Sequence, residues 1–322
     1  MKKPIIKKKF KITMLVLLLV AIFSYIGAFF SLYHSNYRLS NYKDEAVKLF
    51  GVNGSVFDFS TWFENHSSTN EFISKDLTKD IKNINIHSNA SIIRVVKDDK
   101  NSNKISVEYS LSGPESVVNS IKKDNIKFKK EGDSLNFNLS NLNSNLSSCS
   151  ITLYIPTNYN NNINLKTNSG SIYVDSVHLN ELNTDVDSGN IDLYNINCNK
   201  INIKNKYGDI TCNNIKTNNS KFENESGNLH INGYLGDSKV KSNNGNIDIK
   251  CTKLGENTEI NNENGNIYFG DLNTLNNFDI IAKTELGTIS SSNSKITNDK
   301  KVTFGKGKSH IIIKNKRGNI TF

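Results

Sequence analysis

The side chains best suited to chemistry stand at a near-fixed distance from one another. Asp192, Thr211, His230 and Asp248 are 19, 19 and 18 positions apart. If the chain repeats at that interval, stacking sets a histidine near carboxylates, the material of general acid–base catalysis. Parallel β-helices also carry polysaccharide lyases and hydrolases, which need acidic calcium ligands and a basic catalytic group. Here no second carboxylate stands beside Asp248, and the column falls on a face that should be solvated. Arginine, the usual residue of an anion-binding cleft, occurs only at Arg38, Arg94 and Arg317. The chain has no P-loop, HExxH or nucleophile motif, and no GGxGxD calcium nonapeptide. Cys149, Cys198, Cys212 and Cys251 form no CxxC pair. They read as small buried apolar residues. The expectation is no catalysis, no metal and no cofactor.

A second column repeats at the same interval: Lys166, Asp185, Lys204, Glu223, Lys241, Asn261, Lys283 and Lys314. It is mixed but basic on balance. Its lysines, Lys166, Lys204, Lys241, Lys283 and Lys314, are the candidate surface-binding residues. They could meet anionic wall polymers or lipid headgroups by long-range attraction. The plainer reading is an ordinary charged, solvated face.

Both columns need a scaffold that repeats. One pattern recurs through the second half of the chain: polar residue, any residue, Gly, small polar residue, Ile or Leu. Its glycines are Gly170, Gly189, Gly208, Gly227, Gly245, Gly265, Gly287 and Gly318, spaced 19, 19, 19, 18, 20, 22 and 31. The long last interval predicts an insertion around Ser292 to Ser309. Two residues after each glycine stand Ile172, Ile191, Ile210, Leu229, Ile247, Ile267, Ile289 and Ile320. Four after stand mostly apolar residues, and the position between is mixed. That alternation is a strand with one buried face. Leu165, Ile203, Phe222, Val240, Ile260 and Ile313 mark a second apolar patch five before the glycine, and Val177, Ile196, Ile215 and Tyr234 a third. A single copy cannot bury three small patches, but a stack of copies can. The fold class is therefore all-β: a parallel β-helix, or β-solenoid, of about 19–20 residues per coil. Glycine suits the tight corner, and the Asn or Asp after it should form a polar ladder along the axis.

Residues 1–11 form a basic tail with Lys2, Lys3, Lys7, Lys8, Lys9 and Lys11. The chain has 40 basic and 31 acidic residues, so without these six the excess falls from +9 to +3. The basicity thus gives no nucleic-acid footprint. Residues 12–33 lack any charge, which predicts a transmembrane helix acting as an uncleaved signal anchor. By the positive-inside rule the N-terminus is cytoplasmic and the remainder extracellular. Residues 34–80 read as a juxtamembrane linker. Asn41 to Phe50 could form a short helix there, and Phe57, Phe59, Trp62 and Phe63 an aromatic cluster. Residues 81–160 read as an N-terminal β cap, with a short helix or loop at Ser116 to Lys122, and 161–322 as the solenoid repeats.

The [Ser/Asn]-Gly-[Asn/Ser/Asp]-Ile units, with the strand Ile151 to Pro156 leading into them, resemble the bacterial "putative adhesin" β-strand-repeat family, a domain of unknown function. The resemblance covers roughly residues 81–322. It implies an N-terminal membrane anchor and a cell-surface module; some similar proteins are encoded beside envelope-stress systems. The functional expectation is a non-catalytic binding or structural module of the cell envelope. Its partners would be the cell membrane and an anionic wall polymer or another envelope protein, with no nucleic acid. The alternatives are an accessory of an envelope-stress response and, behind it, a carbohydrate-active β-helix enzyme.

Overall fold

The computed structural model describes residues 8–34, 66–98, 103–121, 126–140, 146–270, 278–291, 301–304 and 309–322. The chain forms two compact units, Met1–His66 and Ser67–Phe322. The first contains helix α1, Lys8–His34, of 27 residues. Its described side chains run from Thr13 to Ile26 and are all exposed. Among the described residues no helix is long and apolar enough to cross a membrane. The membrane-crossing assignment therefore rests on the sequence and is not supplied by the structure. The helix expected after Asn41 and the aromatic cluster Phe57–Phe63 lie outside the described residues.

The second unit is a stack of parallel rungs, each named below by the residue at its glycine corner. A rung contains a short strand such as Ile191–Tyr194 and a long strand such as Asn197–Tyr207. Successive rungs pair in parallel, Ile191 with Ile210 and Ile203 with Phe222. Inward columns are built as the alternation predicts. Ile172, Ile191, Ile210, Ile247, Ile267, Ile289 and Ile320 are all 0% exposed. Each such side chain contributes about 1.5–3 kcal/mol by leaving water, and only its neighbours in the stack keep it dry.

The corner explains the glycines. Gly208 has φ +136°, and a Cβ there would lie 2.1 Å from the Gly189 carbonyl oxygen. The Gly208 N–H donates to the Ser226 carbonyl at 2.9 Å. Backbone conformation and close approach therefore both demand glycine. The residue after it builds the expected ladder, though with backbone donors. The N–H of Asp209 donates to Asn190 Oδ1 at 3.0 Å, that of Asn228 to Asp209 Oδ1 at 2.7 Å, and that of Asn246 to Asn228 Oδ1 at 3.0 Å. Inside the same corner, buried Asn205 and Asn224 donate Nδ2 to the carbonyls of Gly189 and Gly208, at 3.0 and 3.2 Å. These buried asparagines satisfy carbonyls that the turn would otherwise orphan.

Rung order departs from sequence order at both ends. The strand Asn83–Ala90 lies between Ser134–Leu139 and Asn162–Ser169, pairing with both in parallel. Ile92–Asp98 likewise lies between Ser148–Pro156 and Ile172–Asp175. At the other end Ser309–Arg317 pairs with Asn257–Asn264 on one side and Phe278–Leu286 on the other. The spatial order of corners is thus Gly265, Gly318, Gly287. The insertion expected around Ser292 to Ser309 holds the antiparallel strand Lys301–Phe304 and otherwise lies mostly outside the described residues; the chain also passes one rung outward and returns to fill the gap.

Antiparallel strands finish both ends. Lys104–Pro114 covers Ser148–Pro156, Lys129–Glu131 covers Ser134–Leu139, and Lys301–Phe304 covers Phe278–Leu286. Such strands interrupt the parallel template that would otherwise recruit another chain. His66–Asp76 adds beside Lys104–Pro114, inside the stretch expected to be linker. Helix α2, Glu115–Ser120, sits where a short helix or loop was expected.

Candidate binding face

The long strands present one continuous outward face. The column four before each glycine reads, in space, His87, Lys166, Asp185, Lys204, Glu223, Lys241, Asn261, Lys314 and Lys283. The five candidate lysines therefore share one column, with Lys314 and Lys283 exchanged relative to chain order. The column is not uniformly basic. Lys166 Nζ lies 3.5 Å from Asp185 Oδ2, and Lys314 Nζ 3.5 Å from Glu259 Oε1. Lys221 reaches Glu223 at 2.8 Å from the neighbouring column. These pairs are solvated, and each is worth about 0–1 kcal/mol. The Asn261 amide, more than the Lys314 ammonium, holds the Glu259 carboxyl below the usual glutamate range. Burial, with help from Lys166, lowers the His87 imidazole.

Two residues away runs a file of asparagines. Asn85 Nδ2 donates to Asn136 Oδ1 at 2.6 Å, and Asn164 Nδ2 to Asn85 Oδ1 at 2.7 Å. Asn183 donates to Asn164 and Asn202 to Asn183, both at 2.7 Å. Five amides thus hold one another in register at the strand spacing of about 4.8 Å. Each amide has capacity left over, because Asn offers two donors and two acceptor lone pairs. Sequence reasoning missed this file. Asn164, Asn183 and Asn202 were visible as the column six before the glycine; Asn85 and Asn136 join only through the out-of-order rungs.

Between the two columns the face is furrowed. One hollow of about 490 Å³ is lined by Asn85, Asn164, Asn183, Asn202, Lys166, Asp185 and Lys204. A second, of about 480 Å³, continues past Asn202 and Lys221 to Lys239, Glu259 and Ile312. Shared lining residues make them one shallow furrow along the stack axis.

The column with acid–base potential lies three residues after each corner glycine, on the stretches that begin at Ile191, Ile210, Leu229 and Ile247. His230 Nδ1 is 3.0 Å from Asp248 Oδ2, and Lys250 Nζ is 3.4 Å from the same oxygen. Burial pushes the Asp192 carboxyl up, while a hydrogen bond from Thr211 opposes the shift. Asp248 can orient the imidazole, and neither residue lines the furrow of the long face. Among the described residues no group of three or more His, Cys, Asp or Glu could hold a metal ion. Cys149, Cys198 and Cys212 are buried free thiols and Cys251 is half-buried. Burial pushes Cys198 up to about 11 and Cys251 up to about 12.

A parallel stack of short rungs, closed at each end by antiparallel strands and bearing a polar furrow, defines a β-solenoid domain. Residues 81–322 match the Toastrack DUF4097 family model, and the chain belongs to that family. No curated protein matches the chain. Among solved structures it is similar to a "putative adhesin" from Bacteroides fragilis at 15% identity and TM-score 0.43, covering 78% of this chain and 96% of that one. A "putative adhesin" from Parabacteroides merdae aligns at 10% identity and TM-score 0.47, covering 80% and 98%. A "putative lipid binding protein" from Parabacteroides distasonis aligns at 16% identity and TM-score 0.44, covering 80% and 97%.

Proposed function

We propose that the chain is a membrane-anchored extracellular module that holds a linear, hydroxyl- or phosphate-bearing envelope polymer along its furrow, without catalysing a reaction. The observation that carries this reading is the asparagine file beside the lysine column. Neutral amides at strand spacing offer repeated donors and acceptors, and the flanking charges supply attraction at longer range. A furrow open along its length suits an extended chain better than a compact ligand, which binds in enclosed, mostly apolar pockets. The anchor is supported by the uncharged run from Ile12 to Tyr33 and the lysines before it. Lys166 and Lys204 line this furrow, and Lys241 continues their column beside it.

The test is sedimentation of the full chain, held in neutral phosphatidylcholine nanodiscs, with isolated cell walls at low and high salt. Saturable binding that weakens with salt and drops in both N183A/N202A and K166E/K204E/K241E is the expected result. Binding unchanged in both variants, with unfolding midpoints intact, would remove the furrow from the reading.

A further inference from the structure

The basic charge of the domain is gathered in the last stretch of its sequence. Between Lys295 and Phe322 the sequence has eight basic residues against Asp299 alone. Setting these and the six tail lysines aside leaves 26 basic and 30 acidic residues in 12–294, an excess of −4. The order of the rungs brings two of these lysines, Lys301 and Lys314, onto one face with Lys283. Lys314 pairs with Lys283, and Lys283 pairs in turn with Lys301. Three ammonium groups therefore stand on adjacent strands at the last positions of the long face. Like charges placed directly opposite repel, and the carboxylates at this end relieve little of it. Glu259 reaches Lys314 at 3.5 Å, and Asp279 Oδ2 lies 3.2 Å from His310 Nδ1. No described carboxylate pairs with Lys283 or Lys301.

Beside this row the neighbouring column changes character. Along the furrow it carries Asn, Lys and Glu, but on the last two rungs it presents Ile312 paired with Ile281. They are 36% and 39% exposed, whereas Ile311, Ile313, Ile280 and Ala282 behind them are fully buried. The apolar row is thus turned outward by the strand alternation and is not a breach of the core.

We propose that this end of the long face docks on an anionic phospholipid surface, with Lys283, Lys301 and Lys314 on headgroup phosphates and Ile281 and Ile312 at the acyl boundary. Charge complementarity and the joined apolar row together select the bilayer. A hydrated polyanion would use the lysines alone, while an interfacial surface uses both. This site meets the far end of the furrow at Ile312, but Lys283, Lys301, Lys314 and Ile281 lie outside the residues assigned to the polymer, and separate variants test the two readings.

The test holds the full chain in phosphatidylcholine nanodiscs captured on a sensor, and flows vesicles over it. Vesicles containing phosphatidylglycerol should bind and pure phosphatidylcholine vesicles should not. K283E/K301E/K314E should weaken binding by about a hundredfold, at a few-fold per lysine. I281S/I312S should weaken it by roughly tenfold. K283Q/K301Q/K314Q, which adds no repulsion towards Glu259, guards against misfolding, and unfolding midpoints accompany every variant. No binding to anionic vesicles, or binding unchanged in the lysine variants, overturns the proposal. So does full competition by soluble polyphosphate with no effect of I281S/I312S, which would identify a polyanion site. Loss in K166E/K204E/K241E with the end variants unaffected would place the contact in the furrow and overturn it as well.

Discussion

At the scale of single residues, the solenoid is governed by a few positions where one atom decides. Gly208 is the plainest case, since its φ of +136° and the Gly189 oxygen 2.1 Å from a would-be Cβ both exclude a side chain. Gly208→Ala should cost at least about 2 kcal/mol, read as a lowered denaturation midpoint; an unchanged midpoint would show that the corner relaxes freely. The glycine column was legible from its spacing because the same close approach to the neighbouring corner recurs on each rung, with a positive φ at every one of these glycines except Gly287. Ser91, which occupies that corner on an earlier rung, was not legible, because it carries no positive φ that would demand glycine. The thiols follow from burial in the same way. A high pKa and an occluded sulfur both withhold the reactive thiolate. Cys198 and Cys251, raised to about 11 and about 12, should resist alkylation in the folded protein. Mass spectrometry at about pH 8 should find them unmodified until denaturant is added; fast native labelling of Cys251 would mean that its rung opens locally.

At the scale of elements, the N-terminal edge is held by a polar strap. Asn70 Nδ2 donates to Glu108 Oε1 at 3.0 Å, and the Tyr154 hydroxyl donates to Glu108 Oε2 at 2.9 Å. These two bonds hold the Glu108 carboxyl below the usual glutamate range. A depressed folded-state pKa means that the strap contributes stability above the ordinary glutamate pKa and loses it as pH falls through the folded value. The strand His66–Asp76, with no residue fully buried, should then be the first to loosen. Protection factors across 66–76, taken relative to the slower intrinsic exchange at low pH, should fall on acidification while those of the core rungs hold, and E108Q should show the lower protection at neutral pH. Equal protection of that strand at both pH values would assign its retention to Phe72, whose ring lies 6.2 Å from Tyr154. Element type was readable along the repeats, because period-two alternation and turn glycines act within a few residues; His66–Asp76, with no fully buried position, reads as linker in the sequence. Element order was not. Every rung offers the same inward columns, so Ile320 fits against Ile267 as well as Ile289 does, and only the assembled stack distinguishes them. The asparagine file was half hidden for the same reason.

At the scale of the whole molecule, the interleaved ends change what a truncation means. In a simple solenoid, removing the last rung breaks one interface and leaves the remainder intact. Here the final residues 309–322 lie between the Gly265 and Gly287 rungs. Ending the chain at 308 withdraws an internal rung and breaks two interfaces. The Gly287 rung must then either close onto Gly265 in a pairing the native stack never uses, or come away. Deleting 278–308 instead leaves the Gly318 rung on Gly265, where it already sits. That deletion removes 31 residues and shortens the Gly265-to-Gly318 interval from 53 to 22, the same as the natural Gly265-to-Gly287 interval, so the connection remains long enough. Both variants hold one rung fewer than the full chain, but only one keeps every remaining interface native. The variant lacking 278–308 should unfold cooperatively at a higher denaturant concentration than the chain ending at 308. Equal midpoints would mean that the columns alone set rung affinity and that the interleaving contributes no energy of its own. A higher midpoint for the shorter deletion would place the stabilising contact in the cap strand Lys301–Phe304, which only the chain ending at 308 retains.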